Sequence, residues 1–137
     1  MIIDTDILIW YLRGNENALK VVKANTPFSI SAVTYIELIQ GMRNKNELRL
    51  FKKQIQKWNV DIIQINKEIS SRAMFYVEEF ALSHSMMLAD ALIAATVIEN
   101  SGILITANDK HYKFIPDIEW IKFDPITNYE ISSRDFN

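Results

Sequence analysis

The segment MIIDTDIL, residues 1–8, sets the fold that we expect for this chain. Its first three residues form a short apolar run that ends at Asp4, as a buried strand would. Apolar residues then return at helical spacing at Ile7, Leu8 and Tyr11, until Gly14, a residue type that commonly follows a helix. The segment therefore predicts a strand, an acidic residue at its carboxyl end, and a helix.

The same alternation of strands and helices continues along the chain. Such alternation forms parallel sheets through right-handed crossovers, with helices on both faces. We therefore predict an α/β fold, a three-layer sandwich with a central parallel sheet flanked by helices. It would form a single domain, residues 1–137, whose residues after about 124 pack loosely. Further strands are predicted at residues 28–30, 60–65, 103–105 and 118–123, and further helices at 31–42, 46–58, 68–82 and 86–100.

The composition excludes several kinds of site and partner. No cysteine is present, which excludes disulfides, thiolate zinc sites and a cysteine nucleophile. His84 and His111 are too few for the usual zinc sites. The chain has neither a signal-peptide pattern nor an apolar run of the ~20 residues that span a membrane. We therefore expect a cytoplasmic protein that does not associate with a membrane. The net charge of −2 means that nucleic-acid binding would depend on local basic patches.

Asp90 lies within the apolar segment LADALIAA, residues 88–95. A carboxylate buried there without compensation would carry a large desolvation cost, so a cation, hydrogen bonds or a solvent-filled cleft must accompany it. The alternative is that Asp90 caps the amino terminus of a helix. Asp4 has a similar pair of interpretations, because aspartate is also common in turns and helix caps after buried strands.

Glu37 depends on where its helix begins. If the helix begins at Thr34, then Thr34 and Glu37 have the spacing of a capping box and Glu37 is structural. If it begins at Ser31, Glu37 lies in the middle of the helix on one face with Thr34 and Gly41. A glycine at position 41 would then let another backbone approach closely.

Together, the acids indicate a site for a hard cation. Several convergent carboxylates without cysteine suit Mg²⁺ or Mn²⁺, which prefer oxygen ligands, waters and phosphate oxygens. Asp4 and the residues near position 106 follow predicted strands, and the carboxyl ends of parallel strands are where such folds bind ligands.

Four segments resemble, in the same order, the motifs of the PIN domain family and of its VapC-type toxins from bacterial toxin–antitoxin pairs. The first is a hydrophobic strand followed by Asp4 and Thr5. The second carries Glu37 and the third carries Asp90. The fourth has a threonine, then Asn or Asp, then an aromatic residue. The matching segments are IIDTDILI (residues 2–9), SAVTYIELIQG (31–41), ADALIAA (89–95) and GILITANDKHY (102–112).

This resemblance implies a Rossmann-like, PIN-like fold and a divalent-metal-dependent endoribonuclease that hydrolyses RNA phosphodiester bonds with a metal-activated water. It implies the toxin of a toxin–antitoxin pair, a homodimer, and a cognate antitoxin protein that blocks the site. It also implies that Asp4, Glu37 and Asp90 bind Mg²⁺ or Mn²⁺ and act with Asp109 in catalysis.

Two positions depart from the family pattern. Position 6 is often Asn in the family, but Asp6 adds a charge here. Asn108 stands where the fourth acid is usual, and Asp109 follows it, so either residue could orient the attacking water. Thr5 and Thr106 are candidates for hydrogen bonds to the metal ligands.

Two surfaces are open to interpretation. Arg43, Lys45 and Arg49 belong to a stretch, residues 43–57, that holds six of the fifteen basic residues. They either contact the RNA backbone or form an ordinary solvated helix face. Apolar surface near residues 10, 11 or 58 could serve dimerisation.

Two other functions compete with the nuclease. A strand followed by Asp4, Thr5 and Asp6 also resembles haloacid-dehalogenase-type phosphatases, in which the first Asp is the nucleophile and the second a general acid. Leu8 departs from that pattern, no paired acidic motif ends a late strand, and Glu37 would have no role. In that phosphatase Asp6→Asn would remove nearly all activity, whereas the nuclease would keep much of it. The other competitor is a catalytically silent, PIN-like interaction module.

Overall fold

The computed structural model describes residues 1–126, which contain five strands and six α-helices, with two of these helices after each of the first three strands. Every strand pairing is parallel, which confirms the predicted α/β fold. The predicted loose tail falls mostly on residues 127–137, which lie outside the described residues. No helix in residues 1–126 is long and apolar enough to span a membrane. The elements are β1 (Ile2–Ile3), α1 (Thr5–Leu12), α2 (Glu16–Asn25), β2 (Ser29–Ser31), α3 (Ala32–Gln40), α4 (Lys45–Trp58), β3 (Asp61–Ile63), α5 (Lys67–His84), α6 (Leu88–Glu99), β4 (Ile103–Thr106) and β5 (Glu119–Lys122).

The strand order β3-β2-β1-β4-β5 places β1 at the centre of the sheet. The chain builds outward from β1 to β3 and then crosses back to add β4 on the other side of β1. This reversal leaves a crevice beyond the carboxyl ends of β1 and β4, where parallel sheets bind ligands. Asp4 directly follows β1 and Thr106 ends β4, so both residues lie at the crevice.

Helix α2 was not predicted from the sequence. Only two of its ten residues, Ala18 and Val22, are buried, so its apolar pattern is sparse. Its clearest sequence signal is the cap, since the Asn15 side chain accepts a hydrogen bond from the Ala18 N–H at 3.0 Å.

Helix boundaries decide the interpretations of two acids. Ser31 caps α3 by accepting a hydrogen bond from the Val33 N–H, so Glu37 lies in mid-helix and the capping-box interpretation is wrong. Helix α6 begins at Leu88 after Met87, which caps without a side-chain bond. Asp90 is therefore the third helical residue rather than the cap.

The core has two halves, one on each face of the sheet. Successive side chains of a strand point to opposite faces, so Ile2 packs against α5 and α6 while Ile3 packs with α1 and α4. Both are almost fully buried. Burial of one isoleucine side chain contributes roughly 1.5–3 kcal/mol to the free energy of folding. These two consecutive residues therefore each stabilise the contact between the sheet and one half of the core.

Trp58 belongs to this core and not to a free surface. Only 6% of it is exposed, and its ring packs edge-on against Tyr11, with centroids 4.9 Å apart, and against Phe28. The interpretation that Trp58 offers apolar surface for dimerisation is therefore wrong.

The glycines differ in how closely they are packed. A Cβ added at Gly102 would lie 2.8 Å from Ile2 Cδ1, whereas a Cβ at Gly41 would meet nothing nearer than the Leu38 carbonyl oxygen of its own helix at 3.5 Å. Within residues 1–126 no other element therefore packs closely against Gly41, and the close approach considered from the sequence does not occur.

We expect Gly102→Ala to lower the free energy of unfolding by about 1 kcal/mol, because the side chain of Ile2 must move in a close-packed core. Gly41→Ala, its matched control, should change stability by no more than about 0.5 kcal/mol. Urea unfolding of the two variants measures both effects. Equal stability of the two variants would contradict this account of the packing of Ile2 against Gly102.

Candidate active site

Asp4 lies at the centre of the crevice and is 5% exposed. It caps α1, and its Oδ1 accepts a hydrogen bond from the Thr5 backbone N–H at 2.8 Å. Its Oδ2 accepts from the Thr106 hydroxyl at 2.8 Å. One carboxylate therefore joins the start of α1 to the end of β4.

Burial makes Asp4 hard to ionise. Loss of solvent, and then the nearby charge of Asp6, raise the pKa of Asp4 to about 7, although donors from Thr106, Thr5 and Tyr112 oppose the shift. Among residues 1–126, no basic side chain forms an ion pair with Asp4. The carboxylate therefore has hydrogen-bond donors but no cation to offset its charge.

Tyr112 is a partner of Asp4 that sequence analysis did not assign. The residue is 1% exposed, and its hydroxyl interacts electrostatically with Asp4. Burial, followed by the charges of Asp4 and Asp90, raises the pKa of Tyr112, so this residue stays a neutral donor. Its signal in the sequence was only the recurring aromatic of the fourth motif.

Asp6 holds the loop that follows β4. Its Oδ2 accepts hydrogen bonds from the Ala107 backbone N–H at 3.0 Å and from the Asn108 side-chain amide at 2.9 Å. Its Oδ1 accepts from the Ile7 N–H at 2.8 Å. Burial raises the pKa of Asp6, and the backbone N–H groups of Ala107 and Ile7 oppose the shift. The carboxylate is thus engaged in structure through both oxygens.

Glu37 reaches the crevice from α3. Its Oε1 accepts a hydrogen bond from the Thr5 hydroxyl at 2.7 Å. The Thr5 Oγ1 also lies 2.9 Å from the Thr34 Oγ1. Thr5, the residue that follows Asp4, therefore links Glu37 to the first turn of α1.

Asp90 lies at the amino end of α6 with 18% of its side chain exposed. It is thus partly solvated rather than buried alone. The helix dipole favours a negative charge in this first turn. The His111 Nδ1 lies 3.5 Å from the Asp90 Oδ1, so a histidine that the sequence did not assign to the site borders the acidic region.

Asp109 and Asn108 belong to the loop and short 3-10 turn after β4. The Asp109 Oδ1 lies 3.5 Å from the Lys122 Nζ, at the end of β5. Asn108 donates to Asp6, as described above. These are the two candidates for the fourth acidic position. The Asp109 carboxylate thus lies beside the Lys122 ammonium group, and the Asn108 amide donates to Asp6.

The chemistry of the candidate ligand atoms at the crevice suits a hard divalent cation. They are oxygen atoms, and the buried Asp4 carboxylate has no cationic partner in the described residues. As placed, however, no three acidic or histidine side chains of residues 1–126 are close enough to share one ion. A shared cation would therefore need movement of at least one of these side chains.

A groove begins beside Glu37. It encloses a cavity of about 720 Å³ between α1, α3 and α4. Leu12 and Leu50 are about half exposed there. Its apolar lining consists mainly of Ile9, Leu12, Leu38, Met42, Leu50 and Phe51.

The three basic candidates differ in their partners. Arg43 lines the groove and forms a double hydrogen bond with Glu47, at 2.7 and 3.1 Å to the same oxygen. Arg49 donates to the Asn46 side chain at 2.8 Å. Lys45 is the first residue of α4 and is exposed.

The pKa of Asp4 predicts how stability depends on pH without divalent cations. Because burial raises this pKa from 3.8 to about 7, the folded chain binds more protons than the unfolded chain between these values. The free energy of unfolding should therefore fall as pH rises through this range, by a few kcal/mol at ~1.4 kcal/mol per pKa unit. Asp4→Asn should remove most of the fall.

Urea unfolding in EDTA at pH 5 and pH 8 measures this. Asp61→Asn, at the exposed amino end of β3, should keep the wild-type dependence. The same dependence in wild type and Asp4→Asn would show that Asp4 is not the group responsible.

Comparison with known proteins agrees with this fold. A toxin–antitoxin complex from Klebsiella pneumoniae contains a chain 27% identical to this one, covering 90% of this chain and 96% of that chain with a TM-score of 0.70. VapBC-1 from nontypeable Haemophilus influenzae is 24% identical over 88% and 96% of the two chains, with a TM-score of 0.71. DNA-bound VapBC from Salmonella typhimurium is 20% identical over the same shares, with a TM-score of 0.76. The last two show a shared fold. No curated protein sequence matches this chain significantly.

The family model of the PIN domain matches residues 1–116. This range contains β1 to β4 and all the acidic residues described above. The chain therefore belongs to the PIN domain family.

Proposed function

We propose that this chain is a divalent-metal-dependent endoribonuclease and the toxin of a toxin–antitoxin pair. The observation that carries the proposal is the buried Asp4 at the β1–β4 crevice, with Glu37 reaching the adjacent Thr5 and Asp90 at the start of α6. The similar chain from Klebsiella pneumoniae, which belongs to a toxin–antitoxin complex, supports the toxin role.

Asp4, Glu37 and Asp90 would hold the cation, Mg²⁺ or Mn²⁺. When bound, such an ion lowers the pKa of the attacking water and offsets the charge that develops on the phosphate. The protein contributes fixed donors to Asp4, so that this carboxylate already has one orientation before the substrate binds. A cation would also relieve the unfavourable ionisation of a buried acid.

The remaining polar residues would support these acids. Thr106 and Thr5 orient Asp4, and Thr5 also orients Glu37. Asp6 and Asn108 fix the loop after β4. We infer that Asp109, whose charge Lys122 offsets, aligns the water rather than holding the cation.

The RNA backbone would meet the basic residues near the groove. Lys45 and Arg49 have no acidic partner in the described residues. Arg43 would have to exchange Glu47 for a phosphate. Lys45 and Arg49 are therefore the better candidates for RNA contact.

The phosphatase alternative fits the geometry less well. A general acid at position 6 would need a free oxygen, but both Asp6 oxygens accept backbone or side-chain hydrogen bonds. Asp6→Asn would place an amide against these donors, so its loss of activity no longer separates phosphatase from nuclease. Hydrolysis of a phosphate monoester separates them directly.

The antitoxin would bind in the groove beside Glu37, where it would cover the site. The half-exposed leucines there suit the apolar face of a partner helix.

We also infer a homodimer, for which the exposed Leu82, Met87 and Leu88 at the α5–α6 turn offer apolar surface. We infer that the protein acts in the cytoplasm.

Purified protein with Mn²⁺ should cleave bacterial total RNA, and EDTA should abolish cleavage. Asp90→Asn should lower the rate about 100-fold or more, because it removes a charged ligand without changing shape. Asp61→Asn, on the far edge of the sheet, should cleave like wild type. Cleavage that survives EDTA and Asp90→Asn would overturn the proposal. A folded, Mn²⁺-bound protein that cuts no RNA would favour the interaction module.

The groove makes a second prediction about the partner. Induced expression in bacteria should arrest growth, and co-expressed cognate antitoxin should relieve the arrest. Leu50→Asp should keep the arrest but lose the relief, since a charge in the groove opposes apolar docking. Leu19→Asp, an exposed leucine of α2 outside the groove, should behave like wild type. Equal relief for both variants would exclude the groove as the antitoxin site.

A further inference from the structure

Thr34 is a fully buried threonine that no helix cap requires. It is the third residue of α3, and the capping bond of this helix comes from Ser31. Its Oγ1 lies 2.9 Å from the Oγ1 of Thr5, a residue of α1. The contact joins two helices through two hydroxyl groups.

A buried helical threonine usually bonds its own helix. Thr96 does so in α6, where its hydroxyl donates to the Leu92 carbonyl at 2.7 Å. Thr34 instead contacts a side chain of another helix. Its hydroxyl thus has a tertiary role rather than a local one.

The hydrogen bonds of the two hydroxyl groups can run in only one consistent direction. Thr5 carries one hydroxyl proton, and a carboxylate can only accept. The Thr5 hydroxyl therefore donates to Glu37 Oε1, at 2.7 Å. The bond between the two threonines must then run from the Thr34 hydroxyl to the Thr5 Oγ1. A chain from Thr34 through Thr5 to Glu37 follows.

We propose that Thr34 is a positioning residue for Glu37. By donating to Thr5, it fixes the direction of the Thr5 hydroxyl, and this hydroxyl fixes one Glu37 oxygen. The other carboxylate oxygen, Glu37 Oε2, then has a defined position from which it can bind the cation. This role rests on the proposed function in one respect, that Glu37 is a cation ligand.

Three variants test the role of the hydroxyl. Thr34→Val keeps the volume and removes the hydroxyl, Thr34→Ser keeps the hydroxyl, and Thr96→Val is the matched buried control. Calorimetric titration of the whole chain with Mn²⁺ should give an affinity about 10-fold lower for Thr34→Val. Thr34→Ser and Thr96→Val should bind Mn²⁺ like wild type. Wild-type affinity in Thr34→Val would overturn the proposal, and if that variant does not fold, Thr34→Ala takes its place.

A second measurement needs no metal ion. Urea unfolding in EDTA of Thr34→Val, Glu37→Ala and the double variant forms a double-mutant cycle. If the hydroxyl chain exists, the double variant loses less stability than the sum of the single variants. Additive losses would overturn the proposal even if wild type binds Mn²⁺. Non-additive losses of stability in a protein that binds no Mn²⁺ would support the hydrogen-bonded chain from Thr34 to Glu37 and would refute the proposed cation site instead.

Discussion

The buried carboxylate of Asp4 constrains everything built around it. A carboxylate removed from water must find donors or a positive charge within the protein. Asp4 obtains its donors from the first turn of α1 and from Thr106 at the end of β4. The two strands must therefore end at the same level, and α1 must begin immediately after β1. The geometry of the crevice follows from satisfying this one group.

The acids around the crevice do different work because their surroundings differ. Asp4 is buried and held by donors, whereas Asp90 is partly solvated at a helix terminus beside His111. Asp6 uses both oxygens to hold the loop after β4. Under the proposed function, Asp4 and Asp90 are ligands and Asp6 is scaffold, and counting carboxylates alone does not separate the two roles.

The sequence predicted the parts of this protein that depend on local pattern. The five strands, five of the six helices and the parallel sheet followed from alternation, and the acids that lie at the crevice followed from their places in the sequence. Helix α2 was missed because its apolar pattern is sparse, and the other features that the sequence missed depend on contacts between distant residues. Thr5 and Glu37 are 32 positions apart, and the partners Asp109 and Lys122 meet only when β4 and β5 pair. The buried state of Trp58 likewise depends on Tyr11 and Phe28, which no spacing along the chain reveals.

The pairing of β1 with β4 has a consequence for synthesis. Asp4 and Thr106 are 102 positions apart, yet each completes the surroundings of the other. A nascent chain that has not yet released β4 from the ribosome lacks the donor from Thr106 and the second wall of the crevice. Closing so long a loop is also slow, because its entropy is lost before the contact forms. The crevice would thus remain incomplete beside the ribosome until most of the chain has emerged.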